Sequence, residues 1–313
     1  MLLTSTPGYT ALREDAAYVD ATGESARAKL RLTGEDRARL LHAMTTNNIQ
    51  ALTPGQGCYT LFLNAQGRIQ ADANVLCFDG HLLLDAEPEL RTKIYEHLDR
   101  YIIADDVTLS DLTDEIATLA LEGPRASDVL LKIGAPAPTE LWSHAAWGEV
   151  TVQRSPSGFT LYLPAAQRAA VIAKLGIVEA TAEEARTVRI EQGRPRYGEE
   201  ITDRHLVQEA GLLHAISFTK GCYLGQEIVE RVRSRGQVHK NLRALEIDAQ
   251  QPPEPGTKLT VNGEEAGELV SAAYSPAQEK TVAMAYMRTP FANPGTEVHA
   301  GSASGRLRAL APA

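Results

Sequence analysis

Three features that often reveal a function are scarce in this sequence: paired cysteines, long apolar runs and an excess of basic residues. Its 313 residues include only three cysteines, at wide spacings and without a C-x-x-C pair. This spacing argues against a disulfide framework, and three thiolates cannot complete a four-thiolate metal or cluster site within one chain. We therefore expect no metal site built by this chain alone.

Long apolar runs are also missing. No segment approaches the roughly 18 apolar residues that a membrane span requires. The segment Met1–Thr10 has neither a basic start nor an apolar run, so it does not resemble a targeting peptide. These absences predict a cytoplasmic protein with no membrane partner.

Basic residues are outnumbered, with 31 Lys and Arg against 40 Asp and Glu and a net charge of −9. This balance argues against strong general binding of nucleic acid. A local cluster departs from it and comprises Arg231, Arg233, Arg235, His239, Lys240 and Arg243. The cluster fits either a solvated helix end or a site that attracts an anionic ligand or an RNA segment.

The apolar fraction of 43% is sufficient for a sizeable core, and the length predicts two or three domains. Lys29–Leu32 alternates as a strand, and the apolar spacing that follows predicts a helix ending near the polar cluster Thr45–Asn48. Cys58–Leu63 and Ile69–Phe78 read as a hairpin around the turn Asn64–Gly67.

A similar pattern recurs later in the chain. Trp147–Arg154 and Phe159–Leu163 are predicted to pair as strands before a helix, and Glu115–Leu121 is predicted to be a further strand. Thr181 and Glu184 have the spacing of a capping box, which predicts a helix running towards Glu191. Hairpins backed by helices indicate an α+β fold.

From Lys240 onward the composition changes to short alternating runs separated by proline and glycine. The dipeptide Asn262-Gly263 favours a tight hairpin turn. We expect this tail to be a separate all-β module, either a small barrel or a sandwich.

The segment from Ile216 to Gly236 has the most unusual chemistry. A strand-like Ile216–Phe218 precedes two glycines that flank Cys222 and Tyr223, and a helical run follows. A cysteine close to a helix N-terminus and to Lys220 is favoured as a thiolate. The alternative is an inert thiol among glycines that serve packing.

The run Lys220-Gly221-Cys222-Tyr223-Leu224-Gly225-Gln226-Glu227 resembles the K-G-C-Y/F-x-G-Q-E motif of the YgfZ family. These proteins are relatives of the glycine-cleavage T-protein, or aminomethyltransferase, and are implicated in maintaining iron-sulfur proteins. Further resemblances to this superfamily lie in residues 32–41, 45–48, 64–69, 189–193 and 197–198.

The resemblance implies a T-protein-like folate-binding region of interleaved antiparallel sheets with helices over residues 1–238. A C-terminal β-barrel over residues 239–313 completes the implied α+β architecture. The implied cofactor is tetrahydrofolate or a one-carbon derivative of it.

The resemblance also implies cofactor-binding residues. Glu191 is expected to accept the neighbouring N–H donors of a pterin ring in bidentate fashion. Arg189 and Tyr197 belong to the same segment, Asn64 belongs to the hairpin turn and Arg231 belongs to the basic cluster. For Glu191, Arg189 and Asn64 the alternative is an ordinary surface or turn role.

Catalytic candidates are Cys222, Lys220 and Asp72. T-proteins carry a pair of adjacent acids in the second strand of the hairpin, and here the pair reads Ala71-Asp72. The missing acid weakens the case for aminomethyl transfer, although Asp72 still stands where it could approach the folate.

The sequence therefore predicts a tetrahydrofolate-binding accessory protein for iron-sulfur cluster assembly or repair. Its expected partners are iron-sulfur proteins or assembly factors, including tRNA-modifying iron-sulfur enzymes. One alternative is a folate-dependent one-carbon (aminomethyl) transferase, and another is a non-enzymatic tRNA- or protein-binding scaffold. The residues leave open whether the chain is an enzyme.

Overall fold

The structure, a computed structural model, describes residues 5–23, 26–236 and 238–311, and of Arg235 it describes the backbone alone. Within these residues the chain forms two mainly antiparallel sheets, a closed barrel and seven α-helices. None of the helices described is long and apolar enough to cross a membrane.

The first sheet has five strands, all antiparallel. In hydrogen-bonded order they are β3 (Gly57–Leu63), β4 (Ile69–Cys77), β5 (Leu82–Ala86), β2 (Ala28–Thr33) and β6 (Thr108–Asp111). Helices α2 (Arg37–Met44) and α3 (Arg91–Tyr101) contribute Leu41, Ile94 and Leu98 to its apolar core. The predicted hairpin and the helix after β2 are confirmed.

The second sheet has six strands. In order they are β11 (Val178–Glu179), β1 (Ala17–Asp20), β7 (Ile116–Glu122), β10 (Gly158–Pro164), β9 (Val150–Ser155) and β8 (His144–Trp147). Helices α4 (Ala126–Lys132) and α5 (Arg168–Leu175) supply Leu130, Val171 and Leu175 to the core on one face. The opposite face of β7 lies outside this core and lines the cavity described below.

Two further helices pack against each other: α1 (Pro7–Glu14) and α6 (Ala182–Glu191). The capping box predicted for α6 is confirmed, because the backbone N–H of Glu184 donates to the Thr181 hydroxyl at 3.2 Å. In return, the N–H of Thr181 donates to the Glu184 carboxylate at 2.7 Å. The last helix is α7 (Gln226–Arg235).

The C-terminal strands close into a six-stranded barrel. In order they are β12 (Lys240–Ile247), β15 (Lys280–Arg288), β14 (Glu264–Ser275), β13 (Lys258–Val261), β16 (Glu297–Ala300) and β17 (Ala303–Arg308). Asn262 and Gly263 both have positive φ, at 51° and 84°, as a tight hairpin turn requires. The α+β prediction with a C-terminal barrel is confirmed.

Two predicted strands are wrong. Ile216–Phe218 is not a strand, because it follows a 3₁₀ turn at Leu213–Ala215 and the Ser217 N–H bonds to the carbonyl of Thr46. The single strand predicted over Trp147–Arg154 is two, because Gly148 takes a φ of 62° and turns β8 back as β9. Apolar alternation does not distinguish a tight turn from a continuous strand.

Candidate functional site

A cavity of about 760 Å³ lies where the two sheets meet. It is lined by residues of the five-stranded sheet, by β1, β7, β9 and β10 of the six-stranded sheet, by α6 and by the segment 194–199. A cavity of this size is typical of small-molecule sites.

A row of three rings forms one part of the cavity wall. Tyr59 on β3 stands between Trp142 and His214, with ring centroids 5.8 Å and 5.7 Å away and nearly parallel planes. Burial lowers the pKa of His214, which favours the neutral ring. Such a row offers flat faces on which a heterocyclic ligand can stack.

Sequence reasoning missed Trp142 and His214. Trp142 has a φ of 67° in a loop before β8, and His214 sits in the short 3₁₀ turn, so neither belongs to a periodic element or a motif. Only the folding of distant segments onto β3 brings them together.

Asp72 on β4 lies in the same cavity and is 7% exposed. Burial raises its pKa to about 6, against the opposing effect of the Tyr59 hydroxyl, which donates a 2.6 Å hydrogen bond to it. Glu87 also raises this pKa, whereas Arg27 and Arg196 lower it. The structure therefore places a carboxyl with a raised pKa beside the aromatic row.

A buried ion network forms the neighbouring wall. Asp85 is 1% exposed, and Arg27 Nε donates to both of its oxygens at 3.0 Å. Lys29 Nζ lies 3.4 Å from the same carboxylate. Burial alone would raise the pKa of Asp85, but Arg27 and Lys29 outweigh it and hold the pKa below its ordinary value.

Arg189 faces this cavity from α6. The positions Ala182, Ala185, Arg186 and Arg189 form one stripe of the helix and line the cavity together. The Arg189 guanidinium pairs with Glu199 and, at 2.8 Å, with Glu200. Its charge is thereby neutralised within the protein.

Glu191 lies about 200° further round the same helix and does not line the cavity. Its carboxylate accepts hydrogen bonds from the Tyr9 hydroxyl and, at 2.5 Å, from Arg13. The structure thus brings Arg189 but not Glu191 to the cavity. The pterin contact predicted for Glu191 stays a prediction, and its two neighbours from α1 already satisfy the carboxylate.

Tyr197 is the other predicted cofactor residue that lines the cavity, where its hydroxyl donates to the carbonyl of Gln70 at 2.7 Å. Burial raises its pKa to about 12. Asn64 and Arg231 lie elsewhere. Asn64 Oδ1 accepts two backbone N–H groups and closes the hairpin turn.

Arg231 projects from α7 and pairs with Glu227 at 2.5 Å. Arg233 likewise lies 3.5 Å from Glu230. The side chain of Arg235, which the sequence grouped with them, lies outside the described residues. The arginines of α7 whose side chains are described are therefore balanced by acids of the same helix.

The ammonium group of Lys220 is bound away from Cys222. It donates to three backbone carbonyls at the end of α2: that of His42, that of Thr45 at 2.5 Å and that of Asn47 at 3.0 Å. Burial lowers its pKa to about 8. These contacts give Lys220 a positioning role, because they fasten the motif loop to the turn that follows α2.

Gly225 fastens the other end of this loop. Its φ is 85°, and a Cβ at this position would lie 2.6 Å from the carbonyl oxygen of Asn64. Only glycine fits such a close approach with positive φ. The K-G-C-Y-L-G-Q-E segment and the hairpin turn predicted from sequence are therefore packed against each other.

Cys222 is exposed on this fixed loop, four residues before α7 begins, whereas Cys58 and Cys77 are buried. Burial raises the pKa of Cys58 to about 12, which keeps that thiol protonated. Cys222 does not line the cavity. The thiol and the cavity are thus separate features.

A hydrogen-bonded path nevertheless links them. The Asn47 side chain donates to the backbone carbonyl of Tyr59 at 2.9 Å, and the backbone carbonyl of Asn47 accepts from Lys220 at 3.0 Å. The turn after α2 therefore touches both the aromatic wall and the loop that carries Cys222.

The chain belongs to the family of the glycine cleavage T-protein, because two domain models of this family together match most of its length. The GCVT N-terminal domain matches residues 6–220, and the glycine cleavage T-protein C-terminal barrel domain matches residues 240–311.

The chain is also similar to individual proteins over most of its length. A chloroplastic candidate transferase of Arabidopsis thaliana is 31% identical over 87% of this chain, which spans 66% of that protein's length. An aminomethyltransferase of Symbiobacterium thermophilum is 28% identical over 93% of this chain and 83% of its own. The structure of aminomethyltransferase T from Bartonella henselae covers 97% of this chain and is itself 88% covered, with a TM-score of 0.86 and 22% identity, and so shares its fold.

Asp72 gives the free energy of unfolding a pH dependence of defined sign. Because its folded pKa of about 6 exceeds the unfolded value, its contribution is full below about pH 4 and is lost as the pH rises through 6. Between pH 4 and pH 7.5, the stability of Asp72→Asn relative to wild type is expected to rise by about 2 to 3 kcal/mol. Urea unfolding at the two pH values measures this difference.

Asp79→Asn, at an exposed position, is the matched control and should change by far less. Equal behaviour of the two variants would contradict the raised pKa of Asp72.

Proposed function

We propose that this chain binds tetrahydrofolate, or a one-carbon derivative of it, in the central cavity and serves iron-sulfur cluster assembly or repair as an accessory protein. The observation that carries folate binding is the row of Trp142, Tyr59 and His214, which leads to the buried carboxyl of Asp72. Stacking faces beside a proton-exchanging group suit a reduced pterin and its attached aromatic ring.

The family supports the same ligand. Folate is the cofactor that the resemblance to T-proteins implies, and several relatives bear the name aminomethyltransferase. Charged side chains on the opposing walls supply the polar contacts that orient a ligand in such a cavity.

The role with iron-sulfur proteins rests on the loop that carries Cys222. This exposed thiol is presented on a segment held at both ends by Lys220 and Gly225, in a motif that resembles that of the YgfZ family. A thiol held in this way can meet a partner protein, a cluster or a one-carbon adduct. Partners proposed on this basis are iron-sulfur proteins, tRNA-modifying enzymes among them, or their assembly factors.

Folate binding can be measured by the fluorescence of a single tryptophan. The chain has two tryptophans, and a Trp147→Phe background leaves Trp142 in the cavity as the sole indole. Tetrahydrofolate is expected to change its fluorescence saturably. Tyr59→Leu should weaken binding by about tenfold, because the ring that aligns Trp142 and His214 and the hydroxyl that holds Asp72 are both lost. Calorimetry with the same variants checks the affinity independently.

Tyr101→Leu removes a tyrosine that is 39% exposed and does not line the cavity, so it should bind like the background protein. Absence of saturable binding would remove folate from the proposal. A Glu191→Gln variant tests the predicted pterin contact, which would be abandoned if its affinity equals that of the background.

The thiol is tested in cells that lack the gene for this chain. Cys222→Ser is expected to lose rescue of iron-sulfur enzyme activity while it keeps its affinity for tetrahydrofolate, because the thiol lies outside the cavity. Cys77→Ala is the matched control at a buried cysteine and should rescue. Full rescue by Cys222→Ser would show that the thiol has no such role.

A second candidate, a folate-dependent one-carbon transferase, is favoured by Asp72. Transfer to or from a folate nitrogen needs an acid or base, and a carboxyl with a pKa of about 6 meets this need. With an aminomethylated lipoyl carrier protein, wild type would then form methylenetetrahydrofolate, and Asp72→Asn would be slower by at least about 100-fold. No product from wild type would exclude this candidate.

The scaffold alternative receives less support. The described arginines of α7 pair with acids of their own helix, which reduces their attraction for an RNA backbone. The scaffold becomes the favoured hypothesis only if folate fails to bind.

A further inference from the structure

One continuous segment joins the cavity to the exposed thiol. His214 lines the cavity at one end of the aromatic row, and its side chain is exposed. Cys222 follows only eight positions later in the sequence and is also exposed. No helix or strand intervenes in this fully described stretch, because the 3₁₀ turn ends at Ala215 and α7 begins at Gln226. A displacement at one end of so short a segment has few residues in which to be absorbed.

The segment is clamped just after His214 by Thr46, in the turn that follows α2. The Thr46 hydroxyl donates to the carbonyl of Ala215 at 2.6 Å, and the Ser217 N–H donates to the carbonyl of Thr46 at 3.0 Å. Thr46 is completely buried. Buried hydrogen bonds that are fully paired make a rigid connection, so the segment and the turn move together.

The same turn also holds Tyr59 and the motif loop. The Asn47 side chain donates to the carbonyl of Tyr59 at 2.9 Å, which ties the turn to a second ring of the aromatic row. The ammonium of Lys220, two residues before Cys222, donates to the carbonyl of Asn47 at 3.0 Å. The turn is therefore bonded to the cavity wall on one side and to the loop that carries the thiol on the other.

We propose that the turn Thr45–Asn47 couples the cavity to the thiol, so that a ligand stacked against the aromatic row changes the chemical equilibria of Cys222. This inference rests on the proposed folate binding and adds a regulatory link between two separate features. Packed, hydrogen-bonded elements shift as units rather than deform continuously, so a ligand that contacts His214 or Tyr59 also biases the motif loop. Coupling of this kind is reciprocal: a group attached to the thiol must change the affinity of the cavity by the same factor.

The test uses two probes. Glutathione disulfide exchanges with the Cys222 thiol to give a mixed disulfide and one molecule of glutathione, and 5-formyltetrahydrofolate serves as a stable one-carbon derivative. Mass spectrometry measures the exchange constant with and without the folate, and we expect a difference of at least about fivefold. The glutathionylated protein should bind the folate with an affinity changed by the same factor. Equal exchange constants while the folate is bound would overturn the coupling.

Two features of the chain make this measurement specific. Cys58 and Cys77 are buried, so the exchange reports on Cys222. Cys222→Ser should therefore form no mixed disulfide, and mass spectrometry of wild type should find a single glutathione.

Thr46→Val and Thr46→Ser test the turn. Valine removes the hydroxyl that donates to Ala215, so the folate should still bind but the two exchange constants should become nearly equal. Serine keeps the hydroxyl and should keep the coupling. Full coupling in a folded Thr46→Val variant would contradict the role of the turn.

A second pair of variants covers the case in which Thr46→Val does not fold. Asn47→Ala removes the side chain that holds the Tyr59 carbonyl and should reduce the coupling. Asn48→Ala is the matched control, because the Asn48 side chain makes no hydrogen bond among the described residues, and it should behave as wild type. Circular dichroism and thermal unfolding confirm that each variant is folded. Undiminished coupling in Asn47→Ala would again contradict the proposal.

The coupling and the folate binding can fail separately. If Trp142 fluorescence reports binding but the exchange constant does not change, the coupling fails and folate binding stands. If wild type binds no folate, the proposed function fails, and His214→Ala then tests the coupling without a ligand. Loss of this ring should shift the exchange constant, whereas Leu213→Ala, in the same 3₁₀ turn but outside the cavity, should not. An unchanged constant in His214→Ala would overturn the coupling.

Discussion

The pairing of buried charge is the constraint on which the rest of this structure depends. The cavity is walled by acids and arginines that have been taken out of water, and ions in such surroundings are tolerated only with partners. Arg27 and Lys29 form ion pairs with Asp85. Arg186 and Arg189 form ion pairs with Glu199. Because most of the wall is neutralised internally, the few groups that are not become the ones available to a ligand.

Much of the fold could be predicted from local patterns. Alternation predicts the β3–β4 hairpin, reciprocal residue types predict the cap of α6 at Thr181, and Asn262-Gly263 marks a barrel hairpin. In each case the interaction lies within a few residues along the chain. The two wrong strands arose where a turn interrupts or replaces an apolar run that looks extended.

The site was harder to predict, for a physical reason. Which face of α6 meets the cavity is decided by α1, which covers Glu191, and nothing within α6 announces that contact. Lys220 was expected beside the thiol, but a flexible side chain of this length reaches whichever unsatisfied carbonyls lie nearby, here those at the end of α2. Asp72, which the resemblance placed near the folate, does line the cavity, and its role there stays a prediction.

The close approach of Gly225 to the Asn64 carbonyl has a consequence for protein engineering. The K-G-C-Y-L-G-Q-E segment owes its shape to a second, distant hairpin and to the backbone at the end of α2. It therefore cannot be grafted as an independent cassette onto another scaffold, and lengthening the Asn64–Gly67 turn would distort it. The motif is eight consecutive residues in the sequence, but its three-dimensional shape depends on three separate stretches of chain.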